Sequence, residues 1–166
     1  MSYSNEPSTV KNLWPDELKI LIIDDNQDIL NLIRHSLELA GFRIIRTTKP
    51  EEGLDLARRE KPDLIILDIM MPRIDGIELL RRVRRHPQIS KTPVIVVSAR
   101  ASSVDQLRML QVGLNMDSEI DAFIGKPFNP TSLLQTVKNV LLKHRDFLLA
   151  KKHNKNIYKA SAATLH

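Results

Sequence analysis

The sequence contains no cysteine, and this absence excludes several kinds of site at once. There can be no disulfide framework, no thiolate metal site and no cysteine nucleophile. The five histidines show no spacing typical of metal ligands, and Gly125-Lys126 has no glycine-rich run before it, which excludes a nucleotide-binding P-loop. We therefore expect any metal site to use oxygen ligands, and a reducing compartment suits the composition.

Long hydrophobic runs are also missing. The longest apolar runs have the length of strands and are interrupted by charges, so no segment is long enough to span a membrane. Residues 1–15 include Asn5, Glu6 and Pro7 and have no apolar core, so they do not resemble a signal peptide. We expect a soluble, cytoplasmic protein.

The net charge of +5 is concentrated near the C-terminal end. Residues 143–166 carry six basic residues and one acidic residue, whereas residues 20–142 carry 17 and 16. We divide the chain into a flexible arm (1–17), a folded domain (18–142) and a basic tail (143–166) that extends the last helix and is then disordered. Such a tail is either solvated or attracts nucleic acid, anionic lipid or an acidic partner.

Strand-like and helix-like segments alternate along the domain. Apolar runs predict five strands, at Lys19–Ile23, Phe42–Thr47, Leu64–Asp68, Pro93–Ser98 and Asp121–Ile124. Helical spacing predicts a helix after each strand: from Asn26 to Gly41, Pro50 to Lys61, Ile77 to Arg85, Ser102 or Ser103 to about Val112, and onward from a cap at Thr131. This alternation implies βαβ units, a parallel sheet and an α/β fold.

Polar residues stand where these strands end. Asp24 and Asp25 follow the first strand, Asp68 ends the third, Ser98 ends the fourth and Lys126 follows the fifth. Because the carboxyl ends of parallel strands meet at one edge of a sheet, we expect these side chains to lie close together. Taken singly, such residues are usually helix caps, structural hydroxyls or turns, so the prediction depends on the whole set.

Three carboxylates gathered at one edge repel one another, so the arrangement favours a bound cation. Oxygen ligands suit Mg²⁺ or Mn²⁺. A metal beside a hydroxyl and an ammonium group is typical of phosphoryl transfer. An aspartate side chain is ordinarily ionised at neutral pH, so Asp68 can act as the nucleophile without a general base, giving an acyl phosphate.

The motifs at these positions resemble those of the receiver domain of two-component response regulators. They are Ile22-Ile23-Asp24-Asp25, Leu67-Asp68-Ile69-Met70-Met71-Pro72, Asp75-Gly76, Val97-Ser98-Ala99 and Lys126-Pro127-Phe128, within about residues 18–142. The resemblance implies a flavodoxin-like, three-layer (βα)5 doubly wound parallel sheet with strand order 2-1-3-4-5.

The resemblance also implies roles for the acidic residues. Asp68 would accept a phosphoryl group from the phosphohistidine of a sensor histidine kinase or a histidine phosphotransfer protein. Asp25, Asp68 and the backbone carbonyl of Met70 would hold Mg²⁺ (or Mn²⁺), and Asp24 would act largely through a water molecule.

The remaining site residues would complete a switch. Ser98 would bond a phosphoryl oxygen and Lys126, followed by a cis peptide bond to Pro127, would pair with it. Phe123 would turn inward as Ser98 moves, which would bias the face formed by the fourth helix, fifth strand and fifth helix toward an unidentified output protein. The alternative for Phe123 is a permanently buried core ring. Met70 and Arg100 occupy positions that tune the lifetime of the acyl phosphate in the family.

Two departures from the family pattern concern the surface. The segment Gly113–Phe123 is longer than the usual turn and is either a tolerated loop or a partner contact. The 24 residues of the tail are too few for a winged-helix domain, which favours a stand-alone receiver. We interpret the arginine-rich stretch 81–85 as a solvated helix face.

The leading hypothesis is a phosphorylation-switched interaction module that catalyses only its own phosphorylation and dephosphorylation. An aspartate-dependent phosphohydrolase is disfavoured because that class has an acid two residues after its nucleophile, where this chain has Met70. A regulator that binds nucleic acid through its tail stays open. A degenerate receiver used as a scaffold is disfavoured by the full set of acids.

Overall fold

Strands and helices alternate through the domain in a computed structural model that describes residues 18–72, 75–99 and 120–150. Its elements are β1 (Lys19–Ile23), α1 (Gln27–Leu39), β2 (Arg43–Thr47), α2 (Pro50–Glu60), β3 (Leu64–Asp68), α3 (Gly76–Arg85), β4 (Val94–Ser98), β5 (Ala122–Gly125) and α4 (Pro130–Lys143). The helix predicted from Ser102 or Ser103 lies outside the described residues, so α4 is the fifth predicted helix. The predicted arm, 1–17, also lies outside them.

The five strands form one parallel sheet in the order β2-β1-β3-β4-β5. Helices α1 and α4 pack on one face, through residues such as Ile33 and Val137. Helices α2 and α3 cover the other face, through residues such as Ala57 and Leu80. The α/β class, the three layers and the strand order are therefore confirmed.

Successive residues of the central strands point to opposite faces, as the pleat of a strand requires. In β3, Leu64 and Ile66 join the core beneath α1 and α4, whereas Ile65 and Leu67 join the core beneath α2 and α3. Every residue of β3 and of β4 is buried. These strands read as continuous apolar runs because both of their faces are covered.

Asparagines cap two of the helices, one as predicted and one not. The side chain of Asn26 accepts hydrogen bonds from the backbone N–H groups of Asp28 and Ile29, which confirms the predicted start of α1. The prediction of Thr131 as the cap of the last helix is wrong. The side chain of Asn129 caps α4 by accepting from Thr131 N at 2.7 Å, and Pro130 takes the first helical position. Proline suits that position because it has no N–H to satisfy, so the cap falls one residue before it.

The arginine-rich stretch 81–85 is not uniformly solvated, which corrects its interpretation as a solvated face. Arg84 has a side chain only 11% exposed, and its guanidinium donates to the carbonyl oxygens of Thr92 at 2.7 Å and Ser90 at 3.1 Å. It also lies 3.7 Å from the carboxylate of Asp121. The loop before β4 presents carbonyl groups that need donors, and Arg84 supplies them.

The last helix continues beyond Lys143, as the sequence predicts. His144 N donates to Val140 O at 3.2 Å, Leu148 N donates to His144 O at 3.0 Å, and residues 145–150 are helical. Leu148 is buried in the core cluster beneath α1 and α4. Across the described ranges, no helix is both long enough and apolar enough to cross a membrane. The end of the predicted tail, 151–166, lies outside those ranges.

Candidate functional site

Three carboxylates meet at the carboxyl edge of the sheet. β1 pairs with β3 so that Ile23 lies opposite Leu67, and the next residues along, Asp24 and Asp68, therefore come side by side. One carboxylate oxygen from each of Asp24, Asp25 and Asp68 lies within 4.8 Å of the others. The expectation that these acids come together is confirmed in the geometry.

The three acids differ in their exposure. Asp24 and Asp68 are 1% and 4% exposed, whereas Asp25 faces the solvent. Burial raises the pKa of Asp24 above its ordinary value, because the hydrogen bond and the charge of Lys126 do not fully offset the loss of solvation. A site with two buried acids and one exposed acid is open to an ion from the solvent on the side of Asp25.

Lys126 supplies the positive charge between the two buried acids. Its Nζ donates to Asp24 Oδ2 at 2.7 Å and to Asp68 Oδ2 at 2.9 Å. Burial alone would lower the pKa of Lys126, but the hydrogen bonds and charges of the two acids raise it overall. Lys126 is therefore a charged, fixed partner of both acids.

Backbone N–H groups hold the other oxygen of each buried acid. Asp24 Oδ1 accepts from Asn26 N at 2.9 Å, and Asp68 Oδ1 accepts from Met70 N at 2.8 Å. Each carboxylate thus has one oxygen turned to its own loop and one turned to Lys126. This fixes both carboxylate planes, and the donor to Asp68 is Met70, the residue whose backbone carbonyl is the predicted metal ligand.

Ser98 and the turn after β5 complete the edge. β3 pairs with β4 so that Asp68 lies opposite Val97, which brings Ser98 to the position just beyond it, where Ser98 is buried. The backbone carbonyl of Ser98 accepts from Lys126 N at 2.8 Å. The peptide bond between Lys126 and Pro127 is cis, as predicted.

Phe123 lies in β5, three residues before Lys126. Its ring is half-buried and packs against the core beneath α2 and α3, and its backbone pairs with Val96. The predicted switch role of Phe123 stays a prediction. Arg100 and most of the segment Gly113–Phe123 lie outside the described residues.

Gly76 shapes this edge, although the sequence indicated only a turn there. A Cβ at Gly76 would lie 2.4 Å from Ile69 Cα and 2.8 Å from the carbonyl oxygen of Asp68. Contacts that short with backbone atoms exclude any side chain, so glycine lets α3 begin directly against the end of β3. The Asp75-Gly76 pair signals a turn, but the close approach of backbones depends on the tertiary fold.

The donor chemistry of the cluster fits a hard divalent ion. Three carboxylates offer oxygen ligands only, which is the set that Mg²⁺ and Mn²⁺ prefer. Asp25 is exposed, so its carboxylate can replace a water ligand of an incoming hydrated ion. The cluster, together with a buried hydroxyl and an ammonium group, can therefore hold a metal and stabilise a phosphoryl group beside Asp68.

A family model described as the response regulator receiver domain matches residues 20–138. Among curated relatives, the polar-differentiation response regulator DivK of Brucella anthropi is 34% identical over 122 residues, which cover 74% of this chain and 94% of DivK. The alkaline phosphatase synthesis transcriptional regulatory protein PhoP of Bacillus subtilis is 36% identical over 123 residues. That alignment covers 74% of this chain but 48% of PhoP, so the chain spans about half the length of that relative.

Solved structures give the same result for the fold. A chemotaxis response regulator of Vibrio cholerae is 30% identical with a TM-score of 0.66, over 75% of this chain and 99% of that one. A CheY-like receiver domain protein of Methanospirillum hungatei is 30% identical with a TM-score of 0.68, over 78% and 98% of the two chains.

Proposed function

The chain belongs to the response regulator receiver domain family, and from that premise we propose that Asp68 is its phosphoacceptor, in a reaction that depends on Mg²⁺. Receiver domains of two-component systems are phosphorylated on an aspartate and signal through that change. The observation that carries the assignment is the position of Asp68, buried at the end of β3 with Lys126 Nζ 2.9 Å from its Oδ2.

The order of strands favours Asp68 over its two acidic neighbours. β3 lies between β1 and β4, so Asp68 has the acids of β1 on one side and Ser98 on the other. Asp24 follows β1, whose neighbours in the sheet are β2 and β3, so it lies one strand further from Ser98 than Asp68 does. Asp25 faces the solvent and is better suited to receive an ion.

In the transfer, an oxygen of Asp68 attacks the phosphorus of a phosphohistidine, and the bond from phosphorus to the histidine nitrogen breaks. The nitrogen keeps the bonding electrons and the aspartyl phosphate forms. Asp25, Asp68 and the backbone carbonyl of Met70 would hold Mg²⁺, and Asp24 would act largely through a water molecule. When bound, Mg²⁺ offsets the negative charge that gathers on the phosphoryl oxygens.

Two side chains bind the phosphoryl group after transfer. Lys126 is already directed at Asp68 Oδ2 and needs only a small displacement to pair with a phosphoryl oxygen. The hydroxyl of Ser98 donates to another oxygen from the neighbouring strand. Phe123 then turns inward. Its ring is only half-buried, which leaves it free to move further in, and its strand, β5, leads directly to Lys126.

The signal passes to an output protein at the face of the fourth predicted helix, β5 and α4. A sensor histidine kinase or a histidine phosphotransfer protein supplies the phosphoryl group, and the module turns over no external substrate. We assign the receiver to residues 18–142, between an N-terminal arm and a basic tail. A cytoplasmic location is part of the same proposal, and a chain without cysteine suits a reducing compartment.

Phosphorylation with a small donor tests the proposal. The full chain is incubated with acetyl phosphate and Mg²⁺, and intact mass reports the addition of one phosphoryl group. We expect the addition in the wild type, none in Asp68→Asn, and none in the wild type when EDTA replaces Mg²⁺. Asp55→Asn is the matched control, because Asp55 is an exposed acid on α2 paired with Arg58. If Asp68→Asn gains the phosphoryl group as readily as Asp55→Asn, the assignment is wrong.

A further inference from the structure

Two leucines near the C-terminal end of the described chain are exposed, although their helix packs on the core. Leu142 is 46% exposed and Leu149 is 40% exposed. Helical hydrogen bonding continues through His144, so both leucines lie on one nearly continuous helix. Residues seven apart on a helix project within about 20° of one another. The two leucines therefore share the outer face.

Basic residues alternate with these leucines. Lys138 and Arg145 are also seven residues apart, and each lies three or four residues from a leucine, which is the spacing of helical neighbours. The result is a stripe of Lys138, Leu142, Arg145 and Leu149, which we call the 138–149 stripe. Residues 143–166 carry six basic groups, Arg145 among them, against the single acid Asp146, which lies beside the stripe.

The inner side of the same helix is fixed to the domain. Leu148 is 1% exposed within the core beneath α1 and α4. The ring of His144 lies 2.5 Å from Asp121 Oδ1, and Asp121 Oδ2 accepts from Val94 N at 2.8 Å. These contacts orient the helix, so the 138–149 stripe faces outward before binding and the helix itself need not be ordered when it binds.

We propose that the 138–149 stripe binds the surface of an anionic lipid bilayer. Leucines flanked by lysine and arginine are the pattern of interfacial helices, in which apolar side chains enter the headgroup boundary and cations pair with lipid phosphates. A nucleic acid would use the cations but would offer no apolar partner for Leu142 and Leu149. An anionic lipid surface accounts for both halves of the stripe, which a nucleic acid does not.

The orientation leaves the phosphorylation site free. α4 begins after the carboxyl end of β5, and His144 bonds Asp121, which precedes β5. The helix therefore ends at the opposite edge of the sheet from Asp68 and Lys126. A chain bound to a membrane through the stripe would keep its carboxyl edge directed toward a phosphodonor.

Vesicle binding of the full chain tests the inference, with phosphatidylcholine vesicles that contain about 30% phosphatidylglycerol and vesicles of phosphatidylcholine alone. We expect cosedimentation with the anionic vesicles only, weakened by salt. The double variant Leu142→Gln, Leu149→Gln should bind about tenfold more weakly, because it removes two partly exposed apolar side chains from the contact. Leu39→Gln is the control, since Leu39 is 77% exposed on α1 and should bind as the wild type.

Two results would overturn the inference. One is the absence of binding to the anionic vesicles. The other is an equal affinity of the double variant and the wild type, which would mean that the tail charges alone attract the vesicles. A parallel titration with double-stranded DNA separates the two polyanions, because binding to DNA without binding to vesicles would assign the basic tail to nucleic acid. Phosphorylation by acetyl phosphate in each variant verifies the fold and is independent of lipid binding.

Discussion

Replacing Lys126 with methionine would keep most of the length of the side chain and remove the ammonium group that joins two buried acids. In the wild type, Lys126 Nζ lies 2.7 Å from Asp24 Oδ2 and 2.9 Å from Asp68 Oδ2. The side chains of the acids are 2% and 5% exposed, and that of Lys126 is 14% exposed. The variant leaves two buried carboxylates beside one another with no cation bonded to either.

Removing one partner of a buried ion pair costs about 3–5 kcal/mol, because the remaining charge stays desolvated. The cluster opens to solvent at Asp25, so we expect the lower end of that range, about 3 kcal/mol. For a domain of this size that loss corresponds to a fall in melting temperature of about 10 °C. Mg²⁺ should restore much of the loss, because an ion bound by the native acids stabilises the folded state.

Urea unfolding of Lys126→Met, in EDTA and then in Mg²⁺, measures both effects. Lys49→Met is the matched control, because Lys49 forms an exposed ion pair with Glu52 at 3.0 Å and should contribute little. If Lys126→Met unfolds at the same urea concentration as Lys49→Met in EDTA, the acids do not depend on Lys126, and the electrostatic argument for the site fails.

Three further substitutions test separate parts of the structure. Gly76→Ala should destabilise the fold by at least about 2 kcal/mol in urea unfolding, because its Cβ meets backbone atoms of Ile69 and Asp68. Gly53→Ala should cost less, because its Cβ meets side-chain atoms of Ile23, the nearest being Cδ1 at 2.7 Å, and no backbone atom among its nearest neighbours; equal losses would refute the argument. Asp24→Asn should be at least as stable as the wild type in EDTA, because burial disfavours the ionised acid. The variant should gain less stability from Mg²⁺ than the wild type does, and a large loss of stability in EDTA would contradict the argument. Arg84→Met should cost about 2 kcal/mol, since it leaves the carbonyls of Ser90 and Thr92 without their donor, while the exposed Arg85→Met should have little effect on thermal unfolding.

Local sequence patterns were sufficient for the elements that the structure describes and for the edge where the site lies. The apolar runs of β3 and β4 are continuous because both faces are buried, so their pattern is visible without knowledge of the neighbours. A carboxylate or hydroxyl directly after such a run must lie at the carboxyl end of a strand. For this reason Asp24, Asp68 and Ser98 could be predicted together.

The strand order had a different source. Alternation of strands and helices predicts a parallel sheet but not which strands are neighbours, and the order 2-1-3-4-5 was implied by the family motifs. The order matters for the site because β3 must lie between β1 and β4 for Asp68 to have the acids of β1 on one side and Ser98 on the other.

Only the tertiary structure decided the contacts between residues far apart in the chain. Lys126 and Asp24 are 102 positions apart, and no local pattern states which carboxylate oxygen Lys126 will bond. Arg84 resembles its arginine neighbours in sequence, yet its side chain is buried, where it donates hydrogen bonds to carbonyl oxygens of the loop before β4. The bond of His144 to Asp121 is of the same kind. Apolar runs and the ends of strands can be predicted from the sequence, because both depend on residues that are neighbours along the chain. Burial and pairing of individual charges depend on neighbours in space, which only the folded structure supplies.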